Sequence, residues 1–126
     1  MGEAIKSSDI ERVLKKDTNK KIKAVCLPQN ETSSGITNDI RSIGKMIKDS
    51  NHPAILIVDV VSSLACLELE TDEWSVDVAV AASQKGLMLP PGLSIVAIGE
   101  RAWDLYKKSK LPKWYWDYKA VRERME

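Results

Sequence analysis

The sequence lacks any marked excess of charge of one sign. Its 19 lysines and arginines offset 18 aspartates and glutamates, which leaves a formal net charge of +1 over 126 residues. Proteins that hold the phosphate backbone of nucleic acid without sequence preference carry a clear basic excess. The one basic cluster, between Lys15 and Lys23, is more simply explained as the solvated end of a helix. The composition therefore argues against a nucleic-acid-binding protein.

Sulfur and imidazole side chains are scarce as well. The two cysteines, Cys26 and Cys66, lie in apolar stretches with no second cysteine or histidine nearby at the spacing of metal ligands. We expect both to be reduced core residues, which fits a reducing compartment. The single histidine, His52, lies in the turn before Pro53 and is interpreted as a solvated turn residue. The sequence thus predicts no metal site.

Long apolar runs are absent. No stretch approaches the roughly 20 apolar residues that a membrane-spanning helix needs. The first twenty residues are too polar and charged to be a signal peptide. We therefore expect a protein without membrane attachment and with a cytoplasmic location, with a peroxisomal location left open for a eukaryotic source.

What the sequence does contain is an alternation of short apolar strands with amphipathic helices. Ala54–Asp59 is apolar on both faces, as in a central strand of a parallel sheet that helices cover. The alternation predicts an α/β fold, a three-layer α/β/α arrangement with a mostly parallel sheet, in a single domain. Four strands are predicted, at Ile22–Leu27, Ala54–Asp59, Asp77–Ala82 and Leu93–Ile98.

Two polar residues stand where predicted strands end. Asp59 closes one strand, and Lys85 follows the strand Asp77–Ala82. In open α/β sheets, ligands collect beyond the carboxyl ends of the strands. A lysine partly withdrawn from water at such an edge is available as a nucleophile toward a carbonyl. Each residue alone also has an ordinary explanation, as a solvated lysine beside a turn or a carboxylate that caps a strand end.

Considered together, the two residues match the needs of one cofactor. Pyridoxal phosphate requires a lysine that holds its aldehyde as an imine. It also requires an acid against its pyridine nitrogen, which keeps that nitrogen protonated. Lys85 and Asp59 supply such a pair.

Four motifs and Asp77 lie around these residues: Asn30-Glu31-Thr32-Ser33-Ser34-Gly35, Val58-Asp59-Val60-Val61-Ser62-Ser63-Leu64, Asp72-Glu73-Trp74, and Ser83-Gln84-Lys85-Gly86-Leu87 with Pro90-Pro91-Gly92. In their identity and order they resemble the class V aminotransferases, and most closely the serine–glyoxylate, alanine–glyoxylate and serine–pyruvate aminotransferase group. The resemblance continues through Leu111-Pro112 and Tyr115-Trp116-Asp117, so it covers nearly the whole chain. One mild departure is Gln29, where the family often carries histidine.

The resemblance implies a role for each of five residues. Lys85 would form the Schiff base with pyridoxal phosphate and later move the proton between the substrate α-carbon and C4′ of the cofactor. Asp59 would pair with the pyridinium nitrogen, and Val61 would pack on one face of the ring. Thr32 would hydrogen-bond near the phenolic edge, and Gln84 would contact the phosphate. The implied reaction is transamination between serine or alanine and glyoxylate or pyruvate.

Members of this family are much longer than 126 residues and work as dimers. The resemblance therefore implies that residues 1–126 are part of the large domain of a fold-type I enzyme, without its amino-terminal part and its carboxyl-terminal small domain. Two alternatives stay open. One is a non-catalytic fragment or association module that acts through Trp114 and Trp116. The other is a lyase or desulfurase of the same superfamily, which shares the aspartate and the lysine. The motif around Lys85 favours the aminotransferase.

Overall fold

The structure, a computed structural model, describes residues 2–125. Its helices and strands alternate along the chain much as the sequence predicts, and the predicted strands are found within two residues of their expected bounds. The helices are α1 (Ser7–Lys16), α2 (Ile40–Asp49), α3 (Glu100–Lys108) and α4 (Tyr118–Arg122). The strands are β1 (Ala24–Pro28), β2 (Asn30–Glu31), β3 (Ile36–Thr37), β4 (Ile55–Asp59), β5 (Val78–Ala82) and β6 (Ser94–Ile98).

Four of the strands form one sheet in the order β1-β4-β5-β6. β4 pairs in parallel with both β1 and β5, whereas β6 pairs antiparallel with β5. The parallel β1–β4 connection includes α2, and the antiparallel step follows a turn that contains Pro90, Pro91 and Gly92. β2 and β3 form a separate hairpin just after β1. The predicted α/β fold with a mostly parallel sheet is confirmed.

One face of the sheet carries the hydrophobic core. The inward side chains of α2 recur at helical spacing, so they form one apolar stripe against the sheet. Gly44 belongs to this contact, because a Cβ at that position would overlap the carbonyl oxygen of Trp74. Trp74 is itself 8% exposed, as expected of an apolar anchor. The buried cluster includes Leu14 of α1, Ile40, Ile43 and Ile47 of α2, and Leu27, Leu56, Val58, Ala79 and Ala81 of the sheet.

The opposite face of the sheet is only partly covered. Strand pairing places Ile57, Val78 and Ile98 side by side on that face, and all three are half-buried. α3 and α4 lie over its β6 side, where Val96 and Ile98 share a cavity of about 350 Å³ with Trp103 and Val121. Helices therefore lie on both faces of the sheet, as predicted. On the second face, α3 and α4 cover only the part next to β6.

The predictions for three single residues were wrong. Cys26 and Cys66 are exposed free thiols. Cys26 lies on the edge strand β1, on the face of the sheet that helices leave open, and Cys66 lies in the loop after β4. His52 is buried instead of solvated. Its Nδ1 accepts a hydrogen bond from the Ala54 N–H at 3.1 Å, and its Nε2 lies 3.3 Å from Oδ2 of Asp17. The turn before Pro53 packs under the end of α1, a contact that sequence spacing does not reveal.

No helix among residues 2–125 is both long enough and apolar enough to cross a lipid bilayer.

Candidate active site

The candidate site lies at the carboxyl edge of β4 and β5. Asp59 is the last residue of β4 and pairs with Val80 of β5, whose chain continues through Ala82 to Lys85. Because the two strands are neighbours and parallel, both residues lie at the same edge of the sheet. β1 ends at this edge too, with Pro28 opposite Asp59, and the hairpin that carries Thr32 follows it. The structure thus brings the five predicted site residues to one edge.

Asp59 presents an exposed carboxylate held by its own turn. Oδ1 accepts a hydrogen bond from the Val61 N–H at 2.8 Å, which fixes the direction of the side chain where the strand ends. Nothing else within residues 2–125 donates a hydrogen bond to this carboxylate, so Oδ2 is available to a ligand. Val61 is half-buried beside it. The local cap that the sequence suggested is therefore present, and it leaves one oxygen for chemistry.

Lys85 and Gln84 are both exposed to solvent. The prediction that Lys85 is partly withdrawn from water is therefore not met within residues 2–125. The loop that carries both side chains, residues 83–93, is anchored by the buried Ser83. Its hydroxyl donates to the Pro90 carbonyl at 2.6 Å, and its N–H donates to the Leu93 carbonyl at 3.1 Å. We call this segment the β5 loop. Two exposed side chains are thereby carried on a loop whose two ends are hydrogen-bonded to each other.

Gly86 sets how the β5 loop lies on the segment after β4, residues 60–68, which we call the β4 loop. A Cβ at Gly86 would overlap the Leu64 carbonyl oxygen and come within 2.7 Å of Sγ of Cys66. Such close approach requires glycine. The turn that carries Lys85 therefore rests directly on the backbone of the β4 loop.

The hairpin between β2 and β3 brings Thr32 to the same edge, where the residue is exposed. The carboxylate of Glu31 shapes the tip: it accepts hydrogen bonds from the N–H of Ser33 at 3.0 Å and its hydroxyl at 2.8 Å, which lower the Glu31 pKa. Asn30 fastens the hairpin to the β4 loop, since its Nδ2 donates to Oγ of Ser62 at 3.0 Å and its carbonyl accepts from that hydroxyl at 2.9 Å.

Three buried polar residues beneath the site were not assigned to it from the sequence: Gln29, Ser63 and Ser83. Gln29 and Ser83 are the first residues after β1 and β5, and Ser63 lies two residues after Val61. These positions at the carboxyl edge are the one signal by which the sequence could have found them. The side-chain hydrogen bonds of Gln29 join residues that are 34 and 39 positions apart along the chain, whereas those of Ser83 stay within the β5 loop.

The chemistry of these side chains fits pyridoxal phosphate. A primary amine and a carboxylate with an available oxygen stand at the same edge of neighbouring strands, as the two ends of the cofactor ring require. The hydroxyl of Thr32 and the amide of Gln84 add uncharged hydrogen-bonding groups at that edge. The residues that would hold the cofactor are therefore Lys85, Asp59, Val61, Thr32 and Gln84.

Known proteins resemble this chain over most of its length. The profile of the family described as Aminotransferase class-V matches residues 4–113. The chain is 46% identical over 105 residues to serine–glyoxylate aminotransferase from Arabidopsis thaliana, over 83% of this chain and 26% of that protein. It is 40% identical over 122 residues to the soluble hydrogenase 42 kDa subunit of Anabaena cylindrica, over 97% of this chain and 32% of that protein.

A solved structure agrees with these sequence matches. Ureidoglycine–glyoxylate aminotransferase from Bacillus subtilis superimposes on 99% of this chain with a TM-score of 0.85 at 28% identity, and the match covers 32% of that chain. The present chain thus spans about a third or less of the length of the proteins it matches. With the family profile extending across nearly all of its residues, this chain belongs to the class V aminotransferase family.

Proposed function

We propose that this chain provides the cofactor-binding edge of a pyridoxal-phosphate-dependent aminotransferase. The observation that supports the proposal most directly is the placement of Lys85 and Asp59 at the carboxyl edge of adjacent parallel strands. Membership of the class V family supports the same assignment.

When bound, pyridoxal phosphate supplies an electron sink that stabilises negative charge at the α-carbon of an amino acid. The residues of this chain would hold and orient it. Lys85 Nζ would attach the cofactor and would move a proton to and from the substrate α-carbon. Asp59 would pair with the pyridine nitrogen through Oδ2, since Oδ1 already accepts from the Val61 N–H. Val61 would supply an apolar surface for the ring, Thr32 a hydrogen bond near the phenolic edge, and Gln84 a contact to the phosphate.

The proposed substrates are serine or alanine as the amino donor and glyoxylate or pyruvate as the acceptor. The names of two matched proteins, a serine–glyoxylate and a ureidoglycine–glyoxylate aminotransferase, support glyoxylate as the acceptor. We further propose a homodimer in a cytoplasmic setting, without nucleic-acid or membrane partners. A lyase or desulfurase reaction at the same residues is the alternative that the substrate test addresses.

A non-catalytic association module is the second candidate. Trp114 and Trp116 favour it, because their side chains are 92% and 85% exposed. Exposed aromatic clusters of this kind mark surfaces that bind other proteins. This candidate predicts no cofactor attachment at Lys85, so one experiment separates the two.

The experiment records the visible absorbance of the purified chain with added pyridoxal phosphate, followed by borohydride reduction and peptide mapping. We expect an imine band and a reduced adduct at Lys85 in the wild type, and loss of both in Lys85→Ala. Lys110→Ala is the matched control, since Lys110 is an exposed lysine outside the site and should behave as the wild type.

Turnover is then measured with serine and glyoxylate. Formation of hydroxypyruvate together with glycine supports transamination. Pyruvate and ammonia, or formaldehyde and glycine, formed from serine without glyoxylate indicate a lyase, and alanine formed from added cysteine indicates a desulfurase. Equal adduct formation in the wild type and Lys85→Ala would overturn the assignment of Lys85 and favour the association module.

A further inference from the structure

The carboxyl edge is held together by a buried glutamine that the proposed chemistry does not use. Gln29 is 4% exposed. Its backbone N–H and carbonyl and both ends of its side-chain amide have protein hydrogen-bond partners. A buried polar residue so fully engaged fixes the relative positions of the segments it joins. Those segments are the ones that carry the site.

The backbone of Gln29 reaches Asp59 directly. Its N–H donates to the Asp59 carbonyl at 2.8 Å, which continues the β1–β4 pairing beyond Pro28. Its own carbonyl accepts from the Asn38 N–H at 2.7 Å, which closes the base of the hairpin that carries Thr32. One residue therefore ties the Asp59 backbone to the Thr32 hairpin.

The side chain of Gln29 holds the β4 loop at two points. Oε1 accepts from the hydroxyl of Ser63 at 2.6 Å, and Nε2 donates to the carbonyl of Glu68 at 2.8 Å. The partners settle the orientation of the amide, because a carbonyl oxygen can only accept. Ser63 is completely buried. The contacts fix the middle and the far end of the β4 loop.

The β4 loop in turn supports Lys85. Gly86 lies against the Leu64 carbonyl, one residue from Ser63, with no room for a Cβ between them. A displacement of the β4 loop therefore moves the turn that carries Lys85. Gln29 is connected in this way to both ends of the proposed cofactor site, to Asp59 by its backbone and to Lys85 through Ser63 and Leu64.

We propose that Gln29 is a positioning residue that fixes Asp59 and Lys85 relative to each other by clamping the β4 loop between β1 and the β5 loop. The expected effect on cofactor affinity rests on the proposed function. The expected effect on hydrogen exchange does not, because it is measured without the cofactor.

The test compares Gln29→Met with Gln29→His. Methionine has a similar length but makes neither hydrogen bond, whereas a neutral imidazole can accept from Ser63 with one nitrogen and donate to Glu68 with the other. Ile47→Val is the control for general destabilisation. Ile47 is buried in the last turns of α2, which leads to the opposite edge of the sheet.

Hydrogen exchange of the cofactor-free chain is measured by mass spectrometry over residues 60–68 and 84–88. We expect faster exchange of both segments in Gln29→Met, recovery in Gln29→His and no local change in Ile47→Val. Ser63→Ala is a smaller perturbation that should show the same pattern if Gln29→Met fails to fold. Unchanged exchange over 84–88, or an equal change in Ile47→Val, would overturn the proposal.

The dissociation constant of pyridoxal phosphate is measured on the same variants. We expect Gln29→Met to weaken binding by roughly tenfold, as loss of a supporting residue typically does, and Gln29→His to restore it. Wild-type affinity in Gln29→Met would contradict the positioning role. If the wild type itself forms no adduct at Lys85, the proposed function fails, and the exchange pattern alone decides whether Gln29 positions the two loops.

Discussion

Single residues without chemistry of their own decide where the reactive groups lie. Lys85 and Gln84 are exposed, so little holds their side chains directly. The position of their backbone depends on the buried hydroxyl of Ser83 and on the missing side chain of Gly86. Geometry at the site is thus controlled one residue away from the groups that would bind the cofactor.

Gly86→Ala should disturb the candidate site as well as the fold. Its Cβ would overlap the Leu64 carbonyl, and overpacking of this kind costs about 1–3 kcal/mol. We expect a lower free energy of unfolding in urea and less reduced adduct at Lys85. Gly44→Ala is the control, because its Cβ would overlap the Trp74 carbonyl inside the core. It should lower stability without changing the adduct yield of the folded protein. Equal yields in the two variants would contradict this prediction.

At the scale of elements, α2 is specified by its apolar face and by its cap. Its apolar stripe packs on the sheet, and Asp39 caps its first turn. The Asp39 carboxylate accepts from the hydroxyl of Ser42 at 2.6 Å and from its N–H at 3.0 Å. These bonds, the hydroxyl first, lower the pKa of Asp39 below its ordinary value of 3.8. The charged form of the carboxylate is thus the one that the folded helix favours.

Removal of this cap should cost stability in a pH-dependent way. Asp39→Ala should lower the free energy of unfolding by about 1 kcal/mol at neutral pH. Because the pKa is lowered by folding, the contribution is full above about pH 4 and is lost as pH falls through the folded-state value. Denaturant unfolding of both proteins from pH 7 to pH 2 measures it.

Asp39→Asn is the informative control for the cap. Asparagine caps nearly as well as aspartate and does not titrate. We therefore expect it to retain most of the stability at neutral pH without the loss at low pH. A difference between wild type and Asp39→Ala that stays constant down to pH 2 would rule out the titration of Asp39 as its cause.

The whole molecule combines a well-packed core on one sheet face with an incompletely covered opposite face. Parallel sheets are normally covered on both faces. The chain spans about a third or less of the length of its relatives, and Trp114 and Trp116 project from its surface. Its stability should therefore come from the α1–α2 side of the sheet and very little from the segment that carries Trp114 and Trp116.

Tryptophan substitutions test which part of the chain contributes to its stability. Trp74→Ala removes a side chain that is 8% exposed and should cost about 3–5 kcal/mol, enough to unfold much of the protein. Trp114→Ser with Trp116→Ser removes exposed rings and should change the free energy of unfolding by about 0.5 kcal/mol or less. Urea denaturation followed by circular dichroism gives both values. A large loss from the double variant would show that the segment packs on the folded chain.

Local sequence patterns were sufficient to predict the helices and strands and the edge of the sheet at which the candidate site lies. Apolar runs bounded by turn residues mark β4 and β5, and parallel neighbours necessarily end at the same edge, so Asp59 and Lys85 could be expected together. The order of the motifs was sufficient for the family. These features depend on residues close in sequence or on a rule of sheet topology.

Long-range contacts decided the rest. His52 is buried because Asp17, from another element, lies against it, and Cys26 is exposed because β1 is an edge strand. Gln29 resembles an ordinary loop residue until folding brings Ser63 and Glu68 to its side chain. The sequence by itself determined the strands, the helices and the two reactive residues, since periodicity and motif order are local properties. Only the tertiary structure decided burial and mutual position, because both depend on partners that are distant along the chain.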